Sequence, residues 1–302
     1  MKDYVMFSFE LYKNNPYWIP PIIAEELETF DKTKNPALQT AEAHFYLAYK
    51  NNKIVGKIAA IINWEEVNLL GKRKARFGWF DAIDDVEVTK ALLNKVEELG
   101  RKHKMDHMEG PMGFSYLFKV GILSEGFDQM GNMITWYSLP YYITHFEQLG
   151  FTKEKEYIES DFSFNNINPE PFQKASALIK KRYELRSLNF TKTKDIMPYV
   201  DKMFDLFNET YARLQSFVPI NDIQKEYFKK KYIGFINPEF IKFIVDKNDN
   251  MIAFAIVMPG FAQALKKANG KLFPFGFYDL LQARKHSKEV VFYLIGVLPE
   301  YQ

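Results

Sequence analysis

"FYLAYKNNKIVGKIAAII", residues 45–62, and "FIKFIVDKNDNMIAFAIV", residues 240–257, follow one plan. Each is an apolar strand, a polar turn built on Asn, Asp and Lys, and a second apolar strand, which is the pattern of a β-hairpin. The same unit met twice reads as two repeats of one domain. Each hairpin follows a mostly helical stretch and precedes a third strand, "ARFGWFDAI" (75–83) in the first half and "VVFYLIGVL" (290–298) in the second. In the second half, residues 259–289 intervene before that strand.

The first half continues through an amphipathic helix at 86–104, where Leu92, Leu93, Val96 and Leu99 fall at helical spacing and "RKHK" suits the negative end of the helix dipole. A strand near 107–110, a Gly-rich loop, a helix around 142–149 and a closing strand or hairpin to Phe164 complete it. Residues 165–182 carry polar and Pro signals and then a short helix, and read as a linker. The expected organisation is therefore a first domain at 1–164, a linker at 165–182 and a second domain at 183–302. The fold class is α/β (α+β), each domain a mixed, mostly antiparallel sheet flanked by helices. Residues 84–164 have no counterpart after Leu298, so the second domain is expected to be incomplete and its last strand to present an open edge. Matching the repeats implies a whole protein of roughly 380 residues.

A length of 302 residues and a 47% hydrophobic content can supply a core for each of two domains. Forty Lys and Arg against 38 Asp and Glu leave +2, no global field for nucleic acid or an acidic membrane, so charged partners must be met locally. The absence of Cys excludes disulfides, thiolate nucleophiles and Cys-ligated metal sites. The N-terminal "MKDYVMFSFELYKNNPYW" is too polar for a signal peptide, and no run reaches the roughly 18 apolar residues of a membrane span. These features read as a cytoplasmic protein, with no metal, nucleic-acid or membrane partner and an oligomeric state that a monomer would satisfy. The 28 Phe and 18 Tyr read first as core packing.

Two short motifs carry a family resemblance. "IGVLPEYQ" (295–302) resembles the end of the fourth strand and the start of the phosphate loop in the GNAT (Gcn5-related N-acetyltransferase) superfamily, and "HFEQLGF" (145–151) resembles its later helix-to-strand signature. Alone, "LGF" is also a plain Gly helix cap and "VLPEYQ" ordinary punctuation after a strand. Their order on the repeated element pattern, with "NPYWIPPI", "EGPMGF" and "LPYYITHFEQLGF", makes the chain similar to a bacterial group of two-domain GNAT-like proteins. The resemblance implies acetyl-CoA or another acyl-CoA held between splayed strands, with pyrophosphate at a Gly-rich helix start and a small-molecule or peptide amine as acceptor.

On that resemblance the first domain departs from the pattern at both chemical positions. Asp84, Asp85 and Glu87 stand where the phosphate loop belongs, and Phe146 stands where members with a tyrosine acid place it. The first domain is expected to be non-catalytic and the second to be the active copy, with Gly296, Val297, Leu298 and Gln302 as cofactor contacts. The catalytic acid and base, and the loop glycines, would fall after Gln302, so residues 1–302 alone are expected to bind acetyl-CoA poorly. The alternatives are a non-enzymatic GNAT-fold binding module and an aminoacyl transferase of the peptidoglycan-bridge type.

Residues 259–289 carry six Lys and Arg against Asp279 and Glu289, an excess of +4, interleaved with Phe273, Phe275, Phe277 and Tyr278. They read as an acceptor-binding lid or as a helical hairpin with solvated lysines around a Phe core. His103 and His107, four apart, read as solvated histidines for want of a third ligand. "FKKKYIGF" (228–235) reads as a solvated lysine face, and Glu25, Glu26 and Glu28 as a helix N-terminal turn.

Overall fold

The structure, a computed structural model, describes every residue except Tyr116, Gln215, Ser216 and Phe235. The 45–62 hairpin forms as β1 (Ala41–Lys50) and β2 (Lys53–Asn63), paired antiparallel from Ala41↔Asn63 to Lys50↔Lys53. Its turn places Asn51 and Asn52 at φ 52° and 60°, a conformation that Asn tolerates and that matches strand twist. The 240–257 hairpin forms as β6 (Ile241–Val245) and β7 (Met251–Pro259), also antiparallel.

Around the first hairpin stand α1 (Lys2–Leu11), α2 (Ile23–Thr29), α3 (Trp64–Leu70), β3 (Lys74–Ala82), α4 (Val86–Lys102), β4 (His107–Glu109) and α5 (Tyr141–Gln148). The sheet order is β1-β2-β3-β4, with β2–β3 antiparallel and β3–β4 parallel. The expected helix α4 buries Val88, Leu92, Leu93, Val96 and Leu99. Central strand β2 is buried from Val55 through Asn63, on both faces, as a strand covered on two sides must be.

The second half of the chain forms α6 (Glu170–Arg182), β5 (Arg186–Leu188), α7 (Thr193–Tyr211), α8 (Asp222–Phe228), α9 (Ala262–Ala268), α10 (Gly276–His286) and β8 (Val290–Val297). The order of this sheet is β5-β6-β7-β8. The mixed α/β class and the hairpin-then-strand order in both sheets are those that the GNAT resemblance implies. β8 stands at the edge of its sheet, with Phe292 and Ile295 exposed. Among the described residues no helix is long and apolar enough to cross a membrane.

Two expectations about organisation change. Residues 151–163 form no strand and are almost wholly exposed, because a run carrying Lys153, Glu154, Lys155 and Glu156 offers too few apolar residues to a sheet. The chain also does not divide at one cut: one compact unit holds Met1–Gly150, Leu214–Tyr227 and Pro259–Val291, the other Phe151–Arg213, Phe228–Met258 and Phe292–Gln302. Gly270 lies against Phe9 and Ile23, Ile23 N–H donates to the Gly270 carbonyl at 3.0 Å, and Asn221 donates to Glu65 at 2.8 Å, which ties both later segments into the first unit.

Candidate active site

Packing at the end of β8 begins with a missing side chain. A Cβ on Gly296 would strike the Phe254 ring and come within 2.7 Å of Thr210 Oγ1, so glycine is what lets β8 lie this close to β7 and α7. Two residues on, Leu298 N–H donates to the Ile252 carbonyl at 3.0 Å, and Tyr301 N–H donates to the Leu298 carbonyl at 2.9 Å. The Gln302 side chain folds back and donates from Nε2 to the Val297 carbonyl at 2.9 Å. Gly296, Val297, Leu298 and Gln302 are thus gathered at one strand end and its short 3-10 turn, Pro299–Tyr301.

The Leu298 amide completes the ladder to β7, while its carbonyl accepts from the turn with one lone pair and keeps the other. Two tyrosines that the motifs did not reveal stand beside the strand. Tyr211 donates from its hydroxyl to the Ile295 carbonyl at 3.1 Å, and burial raises its pKa. Burial, with Tyr211 adding to it, pushes Tyr293 up to about 12. Both phenols hold their protons at neutral pH and are donors. The first half has a parallel: Ser8 on α1 and Tyr12 just after it reach the corresponding strand end.

That end of β3 has the same register. Ile83 N–H donates to the Val55 carbonyl at 2.9 Å, the counterpart of Leu298 on Ile252. Two residues further into the sheet, Asp81 on β3 occupies the place of Gly296 on β8, and Lys57 on β2 that of Phe254 on β7. Asp81 accepts from Ser8 Oγ at 2.6 Å, Tyr12 OH at 2.8 Å and Tyr142 OH at 3.3 Å, and Lys57 Nζ lies 3.5 Å away. Lys57 and Asp81 are only 3% and 8% exposed, so the pair is sealed from water. Ala82 N–H donates to Tyr142 OH at 3.0 Å, and the Ala82 carbonyl accepts from Tyr141 OH at 2.7 Å. Burial foremost, and the Asp81 charge next, raise the Tyr12 and Tyr142 hydroxyls well above the usual range.

The opening beyond this strand is closed by the chain itself. β3 and β4 pair only from Lys74↔His107 to Arg76↔Glu109. Past them Met112 N–H donates to the Phe77 carbonyl at 2.7 Å, and a Cβ on Gly78 would collide with the Met112 carbonyl. Trp79 packs on Phe114, Phe118 and Trp136 in the same place. Buried Glu66 anchors the parallel end, 2.8 Å from Arg76 Nε and 3.0 Å from Lys74 Nζ. At the start of α4, Asp85 accepts from Glu87 N–H at 3.0 Å and pairs with Lys50 at 2.8 Å, so carboxylates hold the position that a phosphate would need. Phe146 is buried between Phe77 and Phe80, and its neighbour His145 bridges Thr89 and Asp84 at 2.9 and 3.1 Å.

The remaining candidates fall elsewhere. His103 is not solvated: Nε2 lies 2.9 Å from Glu42 and the ring stands edge-on to Trp64, whereas His107 is exposed in β4. Hydrogen bonds from His44 first, and from His103 and Lys102, lower the Glu42 carboxyl to about 2. Among the described residues no group of three or more His, Asp or Glu could hold a metal ion. Lys229 of the lysine run pairs with Asp201 at 2.9 Å, and Phe235 lies outside the described residues. Glu25 and Glu26 form the first turn of α2, and Glu28 accepts from Tyr227 OH at 3.4 Å. Between α9 and α10 lies an open cleft of about 360 Å³, bordered by Gln263, Gln282, His286, Lys288 and Glu289.

No family model matches the chain. It is 28% identical over 305 residues to Protein YghO of Escherichia coli strain K12, covering 100% of this chain and 77% of that protein. It is 24% identical over 307 residues to the Bacterial ceramide synthase of Caulobacter vibrioides, covering 100% and 79%. Among solved structures, a tandem GNAT protein from the clavulanic acid biosynthesis pathway aligns at TM-score 0.42 and 12% identity, over 85% of this chain and 68% of that one. The structure of L-PGS from Bacillus licheniformis aligns at TM-score 0.32 and 14% identity, over 85% and 69%.

Proposed function

We propose that this protein is a GNAT-type acyltransferase that moves an acyl group from acyl-CoA to the amine of a long-chain amino alcohol, using the β8 strand of its second sheet. The observation that carries the reading is the similarity over the whole chain to a bacterial ceramide synthase, since a ceramide is the amide of such an amine with a fatty acid. The amine nitrogen attacks the thioester carbonyl, a C–N bond forms, the C–S bond breaks, and the CoA thiolate leaves to take up a proton.

The contrast between the two strand ends supports the second sheet as the working copy. The β3 end is plugged by Asp81, Lys57 and three hydroxyls, whereas β8 offers a bare Gly296 and an exposed edge. In this reading Gly296 and Val297 line the acyl slot and Gln302 leads into the phosphate loop. Tyr211 and Tyr293, both protonated, serve as donors beside the strand. Acyl-CoA is a substrate here, and no metal is required.

The test uses the full-length gene product with acyl-CoAs of increasing chain length and a panel of amines that includes long-chain amino alcohols. Thiol release and amide mass are read together. Expected is CoA release dependent on the amine, with the matching amide, and a fall in kcat on Tyr211→Phe. No release with any amine, or release without an amide, overturns the proposal.

A further inference from the structure

Of the four phenylalanines in 259–289, Phe261 is buried, but Phe273, Phe275 and Phe277 form no core. Phe273 and Phe275, in the turn that joins α9 to α10, are each 77% exposed, and Tyr278 and Phe277, at the start of α10, are 62% and 48% exposed. The turn is built to hold them outward. Phe277 N–H donates to the Leu272 carbonyl at 2.7 Å, and Gly276 is pressed so closely on the Lys271 carbonyl that no Cβ would fit. Phe273 and Phe277 stack with ring centroids 6.3 Å apart. The turn is anchored behind by Gly270 on Phe9 and Ile23. A core of phenylalanines is therefore excluded, and four rings stand in water on a braced support. Clusters of this size on a soluble surface mark an interaction site rather than a packing accident.

Charge says what the rings meet. The segment carries +4 within a chain of +2, so it is more positive than the rest of the molecule taken together. Lys271 is exposed two residues before Phe273, and Lys285 is exposed on α10. Phe277 and Arg284, like Tyr278 and Lys285, are seven residues apart in α10, which aligns ring and cation on one stripe of the helix. The acidic Asp279 within this stretch is neutralised by Lys267 at 2.6 Å. Aromatic rings flanked by cations suit the boundary of a bilayer, where rings enter the acyl boundary and ammonium groups meet anionic headgroups.

We propose that the α9–α10 turn is a membrane-docking tip, with Phe273, Phe275, Phe277 and Tyr278 entering an anionic lipid surface and Lys271 and Lys285 resting on its headgroups. The sequence-level expectation of no membrane partner rested on net charge and on spans, and neither bears on a local tip of this kind. The proposal stands on exposure and charge and does not depend on the acyl-transfer reading.

Vesicle sedimentation of the full-length protein tests it without any activity readout. The vesicles are phosphatidylcholine alone, or phosphatidylcholine with about one third phosphatidylglycerol. Expected is binding to the anionic vesicles, falling about tenfold when salt rises from about 0.1 M to about 0.5 M. The double variant Phe273→Ser/Phe275→Ser is expected to lose about tenfold or more in partitioning, with its circular dichroism and Tm unchanged, because both rings are already in water. Lys271→Glu/Lys285→Glu is expected to weaken anionic binding alone. A wild type that stays in the supernatant with both vesicles, or a ring variant that binds as well as wild type, overturns the proposal. Ring-dependent self-association in sedimentation velocity without vesicle binding would assign the rings to a second copy of the chain, and would equally overturn it.

Discussion

At the same register position the two sheets make opposite choices. The end of β3 carries a buried carboxylate, Asp81, opposite Lys57 and under Ser8, Tyr12 and Tyr142. The corresponding end of β8 carries Gly296 against the Phe254 ring. One repeat fills the strand end with polar groups that satisfy one another; the other empties it of side chain. A repeat can keep its strand order while exchanging a site for a plug, because strand order rests on the apolar hairpin and the site on a handful of residues at one end. The polar plug also holds α1 and α5 to the sheet, so the first repeat makes structural use of the place where chemistry is expected in the second.

The sharpest way to break this comparison is to remove the carboxylate. Asp81→Ala leaves Lys57 charged, buried and unpaired, and is expected to cost about 3–5 kcal/mol of stability. Removing both charges together, Lys57→Met with Asp81→Ala, is expected to cost less than the single change, since no uncompensated ion remains. Differential scanning calorimetry of the two variants decides: an equal loss in both would show that the hydroxyls rather than the ion pair hold the plug. In the other sheet, Gly296→Ala forces a methyl onto Phe254 and is expected to cost about 1–3 kcal/mol. Phe254→Ala added to it should recover part of that loss by opening the space. A Gly296→Ala protein as stable as wild type would mean that β8 is not packed as described.

Much of this was legible beforehand, and the reasons are physical. The hairpins, β3, α4, α5 and β8 declared themselves because period-2 and period-3.6 apolar patterns follow directly from which faces are buried. The carboxylate start of α4 was equally readable, since Asp85 caps the helix through contacts local in sequence. What stayed hidden depends on contacts between distant residues. Nothing in "FGWFDAI" announces that Asp81 will meet Ser8 and Tyr12, and nothing in "PFGFYD" says whether its rings turn inward or outward. The pairing of the Leu298 amide was hidden for a similar reason: whether an amide is free depends on its neighbour strand, and Ile252 lies far away in sequence. The placement of 259–291 with the first unit likewise hangs on Gly270 fitting against Phe9 and Ile23.

The plug also has a signature in alkaline solution. Because burial raises the Tyr12 and Tyr142 hydroxyls above their ordinary value near 10, the folded state holds their protons more tightly than the unfolded chain. Their contribution is therefore whole below pH 10 and is lost as pH rises toward the folded-state values. Tyr142→Phe removes a donor to Asp81 and the partner of the Ala82 amide, for an expected cost of about 1–2 kcal/mol at neutral pH. The variant should also lose less stability than wild type between pH 9 and 11 in urea titrations run at about that range. Parallel curves for the two proteins would locate the alkaline transition elsewhere.

The smallest effect expected is at a partly solvated charge cluster on β1. Glu42 sits in β1 with His44, Lys102 and His103 around its carboxyl, which is lowered from 4.5 to about 2. A depressed folded-state value means that the contribution is present above pH 4.5 and drains away as pH falls toward 2. His44 and Lys102 are largely solvated, so screening keeps the contribution to a fraction of what the shift alone would suggest. Glu42→Gln is accordingly expected to cost about 0.5–1 kcal/mol at pH 6 and to flatten the acid limb between pH 4.5 and 2. Raising salt should shrink the difference between variant and wild type, in contrast to Asp81→Ala, whose buried partner salt cannot reach. If the Glu42→Gln difference persisted undiminished in high salt while that of Asp81→Ala faded, the division between a solvated face and a sealed plug would be the wrong way round.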